Sequence, residues 1–365
     1  MPPDPLRGPE VDVVVAVHTV TRPIARAVDS VLAGTTAATR VTVIAHNIDP
    51  DVIAANLGDL MADRRVRLLS LHDSVPSPAG PFNLGLDRAT APFVSVMGSD
   101  DTFDPGAVDS WLSLQRRHNA GMVLARVRHD GGGSDSYPPV RLGRTQRLDG
   151  VKDRLSYRSA PLGLISRQHF GDLRFSEGLP SGEDLAFVTR MWFSGVPLAF
   201  DSTGPAYVGH HDEGDRVTSA QRDVSVDFRF LDEIYPTTWF ARFTNDQRTA
   251  LAAKFLRMHV FDAILARSNG GTWTKSERNA LATVIRRIIA TAPDVERVLS
   301  MADRDVIDAV LDGAAPEVSA DLVRRRSNYR SVPALLPRNP LRILNRQAPF
   351  RTLLAGLLLM RAGHS

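Results

Sequence analysis

The stretch Phe82-Asn83-Leu84-Gly85-Leu86-Asp87-Arg88-Ala89-Thr90-Ala91-Pro92-Phe93-Val94-Ser95-Val96-Met97-Gly98-Ser99-Asp100-Asp101 decides the fold. Phe82 to Ala89 reads as a short helix, Pro92 to Met97 as a strand, and two carboxylates follow the strand at once. Upstream, Val11-Asp12-Val13-Val14-Val15-Ala16-Val17 is a β-branched run, the mark of a strand buried on both faces. Pro23 then opens a helical pattern with Ile24, Ala27, Val28, Val31 and Leu32 on one face, where a first-turn proline costs no hydrogen bond. Val41 to Ala45 is a second strand, Asp51 to Met61 a second helix and Arg65 to Ser70 a third strand. Strands alternating with helices predict an α/β fold with a mostly parallel sheet and right-handed crossovers. In such sheets the ligand lies beyond the carboxyl ends of the strands.

Three groups of residues carry chemistry. Asp100 and Asp101 close a buried strand, where paired carboxylates are costly unless a cation or hydrogen bonds neutralise them. Alone, the pair reads as readily as a turn as it does as a site for a hard divalent ion. Asp104 reads as the cap of a helix over Pro105–Gln115. Ser181-Gly182-Glu183-Asp184 leads into a helical apolar spacing, so both acids sit at a helix N-terminus, where the dipole favours the ionised form. Taken singly, Glu-Asp there is an ordinary helix start. His210-His211-Asp212-Glu213 suggests metal or phosphate contact, with a solvated loop as the commoner meaning.

In order and spacing, Val13–Leu32, Asn83–Asp101 and Phe175–Trp192 resemble the nucleotide-sugar glycosyltransferases of family 2, which have the GT-A fold. Phe82–Asp101 resembles that family's RNxGLxxAxGxYVxFLDxDD block, and Gly182-Glu183-Asp184 its GED motif. The resemblance covers most of residues 11–218. It implies an inverting transferase that moves a sugar from a nucleotide-sugar donor, a UDP-sugar by default, to a hydroxyl acceptor. It also implies Mn²⁺ or Mg²⁺ held by Asp101, with His210 or His211 as a further ligand. Asp184 would be the catalytic base and Glu183 would orient the acceptor. The donor would meet His18, Thr19, Asn47, Asp49, Asn83, Ser99, Asp100 and Arg216, with Thr218 in the same loop. Three departures stand out: Ser99 replaces the first Asp of the metal motif, His46-Asn47-Ile48-Asp49 replaces the DDGSxD turn, and Phe82 stands where an Arg often precedes Asn83.

Beyond residue 222 the pattern turns helical. Leu251, Phe255, Met258, Phe261 and Leu265 recur at helical spacing, as do Leu281, Val284, Ile285, Ile288 and Ile289. Domains are therefore expected at 1–10 (a flexible start), 11–221 (catalytic), 222–321 (helical accessory) and 322–365 (a basic amphipathic tail). The chain has 365 residues with 44 basic and 41 acidic side chains, a net of +3. The average hides a split, because Leu322 to Ser365 holds nine arginines and no acid. The tail reads either as an interfacial membrane contact or as a helix whose arginines pair with the acidic body. Sparse aromatics there argue against nucleic acid. No cysteine is present, which excludes disulfides and thiolate metal sites. Arg in place of Lys, with abundant Ala, is what a GC-rich bacterial genome would give. Neither a signal peptide nor a spanning stretch is visible, so a cytoplasmic enzyme is expected, with association at the inner membrane face through the tail. The acceptor class implied is a glycan, a lipid-linked glycan or a small molecule. A nucleotidyltransferase should show a Gly-rich phosphate loop after the first strand, and Val17-His18-Thr19-Val20-Thr21-Arg22 supplies none. A glycan-binding module that has lost catalysis is the other rival.

Overall fold

The computed structural model describes residues 8–132, 141, 143–210, 222–270 and 273–362. These form two compact units, divided between residues 217 and 218; the second also takes in residues 149–158.

The first unit is built on a seven-stranded sheet. Its strands are β1 (Val11–Val17), β2 (Thr39–His46), β3 (Val66–Leu71), β4 (Phe93–Gly98), β6 (Met122–Ala125), β8 (Gly163–Ser166) and β9 (Leu198–Asp201), in the order β3-β2-β1-β4-β8-β6-β9. A small second sheet has the order β5-β10-β7, from β5 (Thr102–Phe103), β7 (Val127–His129) and β10 (Tyr207–Gly209). Strands β1 to β4 are parallel, with Val13 opposite Val41 on one side and Ser95 on the other. Strand β8 runs antiparallel to both β4 and β6. Gly163 enters it at φ 128°, and a Cβ there would lie 2.0 Å from the Val123 carbonyl oxygen, so only glycine fits.

Helices cover the sheet and explain the apolar runs. Helix α1 (Ile24–Ala33) buries Ile24, Ala27, Val28, Val31 and Leu32, the stripe read from the sequence. Helix α2 (Pro50–Leu57) continues as a 3₁₀ turn over Gly58–Ala62. Helix α3 (Ala79–Arg88) crosses β1 so closely that a Cβ on Gly85 would lie 2.2 Å from Val14 Cγ1. Asp12 is the polar exception inside the β1 run. Burial alone would raise its pKa, but Arg40 (2.7 and 2.8 Å) and the backbone N–H groups of Thr90 and Ala91 hold it below the ordinary carboxylate value. This one carboxylate ties β1, β2 and the turn into β4 together.

Helix α4 (Ala107–His118) corrects one expectation. Its N-cap is Gly106 at φ 85°, with no side-chain cap. Asp104 instead accepts from Arg128 at 2.6 Å and from the Ala206 N–H at 3.0 Å, because a guanidinium is a stronger donor than a helix amide. Short helix α5 (Arg167–Phe170) and helix α6 (Leu185–Trp192) complete the unit.

The second unit is helical. Capping boxes start the helices Asn245–Lys254 and Met301–Leu311. Between them Phe255–Val260 is a π-helix, whose wider turn shifts the apolar phase. Phe255 and Phe261 are fully buried, while Met258, expected in the same stripe, is exposed. The region from 322 onward belongs to this unit and is not a separate tail. Arg326 pairs with buried Asp303 at 2.7 Å, and Arg338 reaches Asp305 and Asp308. Arg257 donates to the other oxygen of Asp303 at 2.9 Å and to the Gln347 carbonyl at 2.7 Å. None of the described helices is long and apolar enough to cross a membrane.

Candidate active site

The carboxyl ends of β1 and β4 form the carboxylate corner. Asp101 follows β4, and its Oδ2 accepts from the Tyr207 hydroxyl at 2.5 Å, while Oδ1 accepts from the His210 N–H at 3.2 Å. The Tyr207 oxygen in turn accepts from the Gly98 N–H at 3.0 Å. Burial, reinforced by the charge of Asp101, pushes the Tyr207 phenol well above its usual range, so it stays a proton donor. Asp100 is held from α1 and the turn before it: Arg22, which precedes the helix, pairs with its carboxylate, and Arg26 of α1 donates to its carbonyl. Ser99 is buried behind them. Neither arginine nor Tyr207 was singled out from sequence. The only signal was the pair Arg22 and Arg26 on either side of Pro23, where α1 begins.

Gly98 makes this corner possible. A Cβ there would lie 2.6 Å from Asp101 Oδ2 and 3.2 Å from Asp100 Oδ1, so both carboxylates present an oxygen to the same face of the glycine. Two hard oxygen donors on one face suit Mg²⁺ or Mn²⁺. Among the described residues no three His, Cys, Asp or Glu side chains converge. The chain's share would thus be one or two carboxylates, the usual share for an ion that keeps water and phosphate oxygens. His210 does not join them by its ring: Nε2 meets Thr102 Oγ1 at 2.8 Å and Nδ1 meets Asp130 Oδ2 at 3.0 Å. Its backbone N–H, and not its imidazole, touches Asp101. His211, Arg216 and Thr218 lie outside the described residues, as do Asp212 and Glu213.

The loops after β1 and β2 flank the corner. His18 and Thr19 follow β1 directly, and Thr19 Oγ1 lies 3.0 Å from Thr21 Oγ1. Asn47, at φ 55°, spends its amide on the chain itself: its oxygen accepts from the Asp73 and Ser74 N–H groups at 3.0 Å, and its nitrogen donates to Asp73 at 3.1 Å. Asp49 caps α2 by accepting from the Asp51 N–H. Both residues expected on the donor side at this turn therefore also hold the turn itself. His46 and Asp73, 2.8 Å apart, complete the clamp.

The side of the site that carries Glu183 and Asp184 is assembled by Asn83. Its side chain accepts from the Phe175 N–H at 2.9 Å and donates to the Phe175 carbonyl and to Glu177, each at 3.0 Å. Asn83 is buried, so its place is to position a segment and not to face the donor. The Ser176 N–H then donates to the Glu183 carbonyl at 2.8 Å, which carries the alignment to the GED turn. Gly182 sits at φ 75°, the left-handed turn that sets Glu183 and Asp184 at the start of α6. Asp184 is the N-cap residue, but its side chain makes no capping bond. Phe175 stacks on Phe187 of α6 at 4.7 Å and lies 5.3 Å from Phe82. A cavity of about 120 Å³ is lined by Gly98, by Glu183 and Asp184, and by the rings of Phe82 and Phe175.

With this geometry in view, the comparisons with known proteins fall into place. Residues 12–174 match the family described as Glycosyl transferase family 2. The succinoglycan biosynthesis protein ExoO of Rhizobium meliloti (strain 1021) is 28% identical over 231 residues, 58% of this chain. The match spans 64% of ExoO's own length. Among solved structures, S. aureus TarS residues 1–349 in complex with UDP-GlcNAc align with a TM-score of 0.69 at 18% identity, covering 88% of this chain and 93% of that one. The same TarS region bound to UDP gives 0.67 at 17% identity, with the same coverage of both chains. These structures share the fold of the first unit's mixed sheet and its helical continuation. The motifs, the sheet order and the family match converge on one assignment: residues 12–174 form a glycosyltransferase family 2 domain.

Proposed function

We propose that the protein transfers a sugar, with inversion, from a nucleotide-sugar donor to a hydroxyl acceptor in bacterial polysaccharide synthesis. One observation carries the reading: a single cavity is lined by Asp184 and by Gly98, the glycine against which the Asp100 and Asp101 carboxylates lie. The donor's diphosphate would lie at the corner, with Arg22 and Arg26 at hand to meet its charge. Asp101 and Asp100 would hold Mn²⁺ or Mg²⁺, which offsets the charge on the departing diphosphate. Asp184 would take the proton of the acceptor hydroxyl. The oxygen then bonds to the anomeric carbon on the face opposite the leaving group, and the bond from that carbon to the diphosphate oxygen breaks with its electron pair. Glu183 would orient the acceptor beside it. A UDP-sugar donor draws support from the TarS complex with UDP-GlcNAc, and a polysaccharide product from the role in ExoO's name.

The second unit supports a peripheral membrane contact. Leu341, Leu344, Leu354, Leu357 and Leu358 are exposed, and Arg342, Arg346 and Arg351 have no acidic partner among the described residues. Exposed leucine beside unpaired arginine suits an anionic lipid surface. Co-sedimentation with phosphatidylglycerol vesicles tests it, and retention after Leu344, Leu354 and Leu358 are changed to Gln would reject it. The donor reading is tested by a thermal-shift screen of nucleoside diphosphates with and without Mn²⁺. Stabilisation by UDP that grows with the metal is expected, and equal shifts from every nucleotide would contradict it.

A further inference from the structure

The helical unit contains a cleft that the transfer reaction does not use. It encloses about 340 Å³, within the ordinary range for small-molecule sites. Its base is polar: Arg257, Asp303 and Arg326 meet there. Its walls are apolar, with Leu353 and Leu357 from the Pro349–Ala362 helix and Met258 from the π-helix.

The two arginines differ in what they have left to offer. Arg257 is committed: it donates to Asp303, to the Tyr157 hydroxyl, to the Gln347 carbonyl and to the Val298 carbonyl. Arg326 spends only Nε, on Asp303 at 2.7 Å, and lays its guanidinium on the Phe261 ring at 4.5 Å. Its two terminal nitrogens have no hydrogen-bond partner among the described residues, although the side chain is only 11% exposed. Neither nitrogen is sealed from solvent, so both can meet a ligand that enters the cleft. Both arginines converge on the one carboxylate of Asp303, and the second carboxylate of the cleft, Asp262, is exposed.

Gly356 shows that the space is open. It lines the cleft, and a Cβ added there would meet no atom within 4 Å. Leu357 both lines the cleft and leaves 44% of its surface exposed. We propose that this cleft binds an anionic amphiphile, with its phosphate or carboxylate head on the terminal nitrogens of Arg326 and its hydrocarbon chain along Leu353, Leu357 and Met258. The bidentate fork of Arg326 suits either head group. This inference draws nothing from the transfer reaction and stands or falls separately from it.

The test is calorimetry on the full chain with dodecyl phosphate below its micelle concentration, beside dodecanol and inorganic phosphate as single-feature probes. Dodecyl phosphate should bind, and each control should bind at least about tenfold more weakly, because head and chain both contribute. Gly356→Leu fills the cleft without touching the arginine network and should weaken dodecyl phosphate by about tenfold or more, with an unchanged circular dichroism spectrum. Arg326→Lys, which keeps the charge but loses the fork, should weaken it as well. Equal binding of dodecanol and dodecyl phosphate would overturn the head-group assignment. Equal binding by wild type and Gly356→Leu would overturn the site. Vesicle binding that ignores Gly356→Leu, with no binding of monomeric dodecyl phosphate, would assign this face to a membrane surface and overturn the cleft as a site.

Discussion

Tyr207→Phe isolates the bond that holds the Asp101 carboxylate in place. The ring stays, including its packing 5.6 Å from Phe103, and only one oxygen is lost. That oxygen makes two bonds: it donates to Asp101 Oδ2 at 2.5 Å and accepts from the Gly98 N–H at 3.0 Å. A hydrogen bond to a charged group contributes about 1.5–3 kcal/mol, and a neutral one about 1 kcal/mol. Asp101 keeps the His210 N–H, so part of the loss is recovered. The net expectation is destabilisation by about 2 kcal/mol. Urea unfolding of wild type, Tyr207→Phe, Asp101→Asn and the double variant measures it as a cycle, with an expected coupling of about 1–2 kcal/mol. Nucleotide affinity in the presence of Mn²⁺ should fall together with stability, because a carboxylate that swings free no longer presents its oxygen on the Gly98 face. A change under about 0.5 kcal/mol, the size of an ordinary surface substitution, would refute the reasoning.

Two further expectations follow from the same geometry. Asn83→Ala should leave nucleotide binding nearly intact but lower turnover, since Asn83 aligns Phe175 and hence the GED turn; steady-state kinetics with unchanged kcat and a raised donor KM would contradict this. Acid should weaken the first unit through Asp12. Its folded pKa lies below the unfolded value, so its contribution is full above the ordinary carboxylate range and is lost as pH falls through the folded value. Asp12→Asn should cost about 3 kcal/mol at neutral pH and flatten the decline of stability below about pH 4, and parallel acid curves for variant and wild type would count against it.

Much of the first unit was legible because burial on both faces writes itself into sequence. The Val11–Val17 run and the α1 stripe needed no long-range information. Gly182-Glu183-Asp184 was legible for a related reason, since a left-handed glycine before two acids and an apolar period is local. The partners of the carboxylates were not. Arg22 lies 78 residues from Asp100, and Tyr207 lies 106 from Asp101, and no periodicity links them. The turn bonds of Asn47 and Asp49 were not legible for the opposite reason: their type fits ligand contact, and short polar side chains satisfy their own turns as readily. The π-helix at Phe255–Val260 broke a regular stripe that sequence spacing continues without a mark.

The central claim is that Asp184 is the base of a transfer at the cavity it shares with the Asp101 corner. Single-turnover transfer by Asp184→Asn, measured beside its nucleotide affinity, tests this most directly. The amide keeps the shape but cannot accept the proton, so the account predicts unchanged nucleotide binding with transfer slowed by about 10²-fold or more. Transfer at the wild-type rate with the same affinity would contradict it.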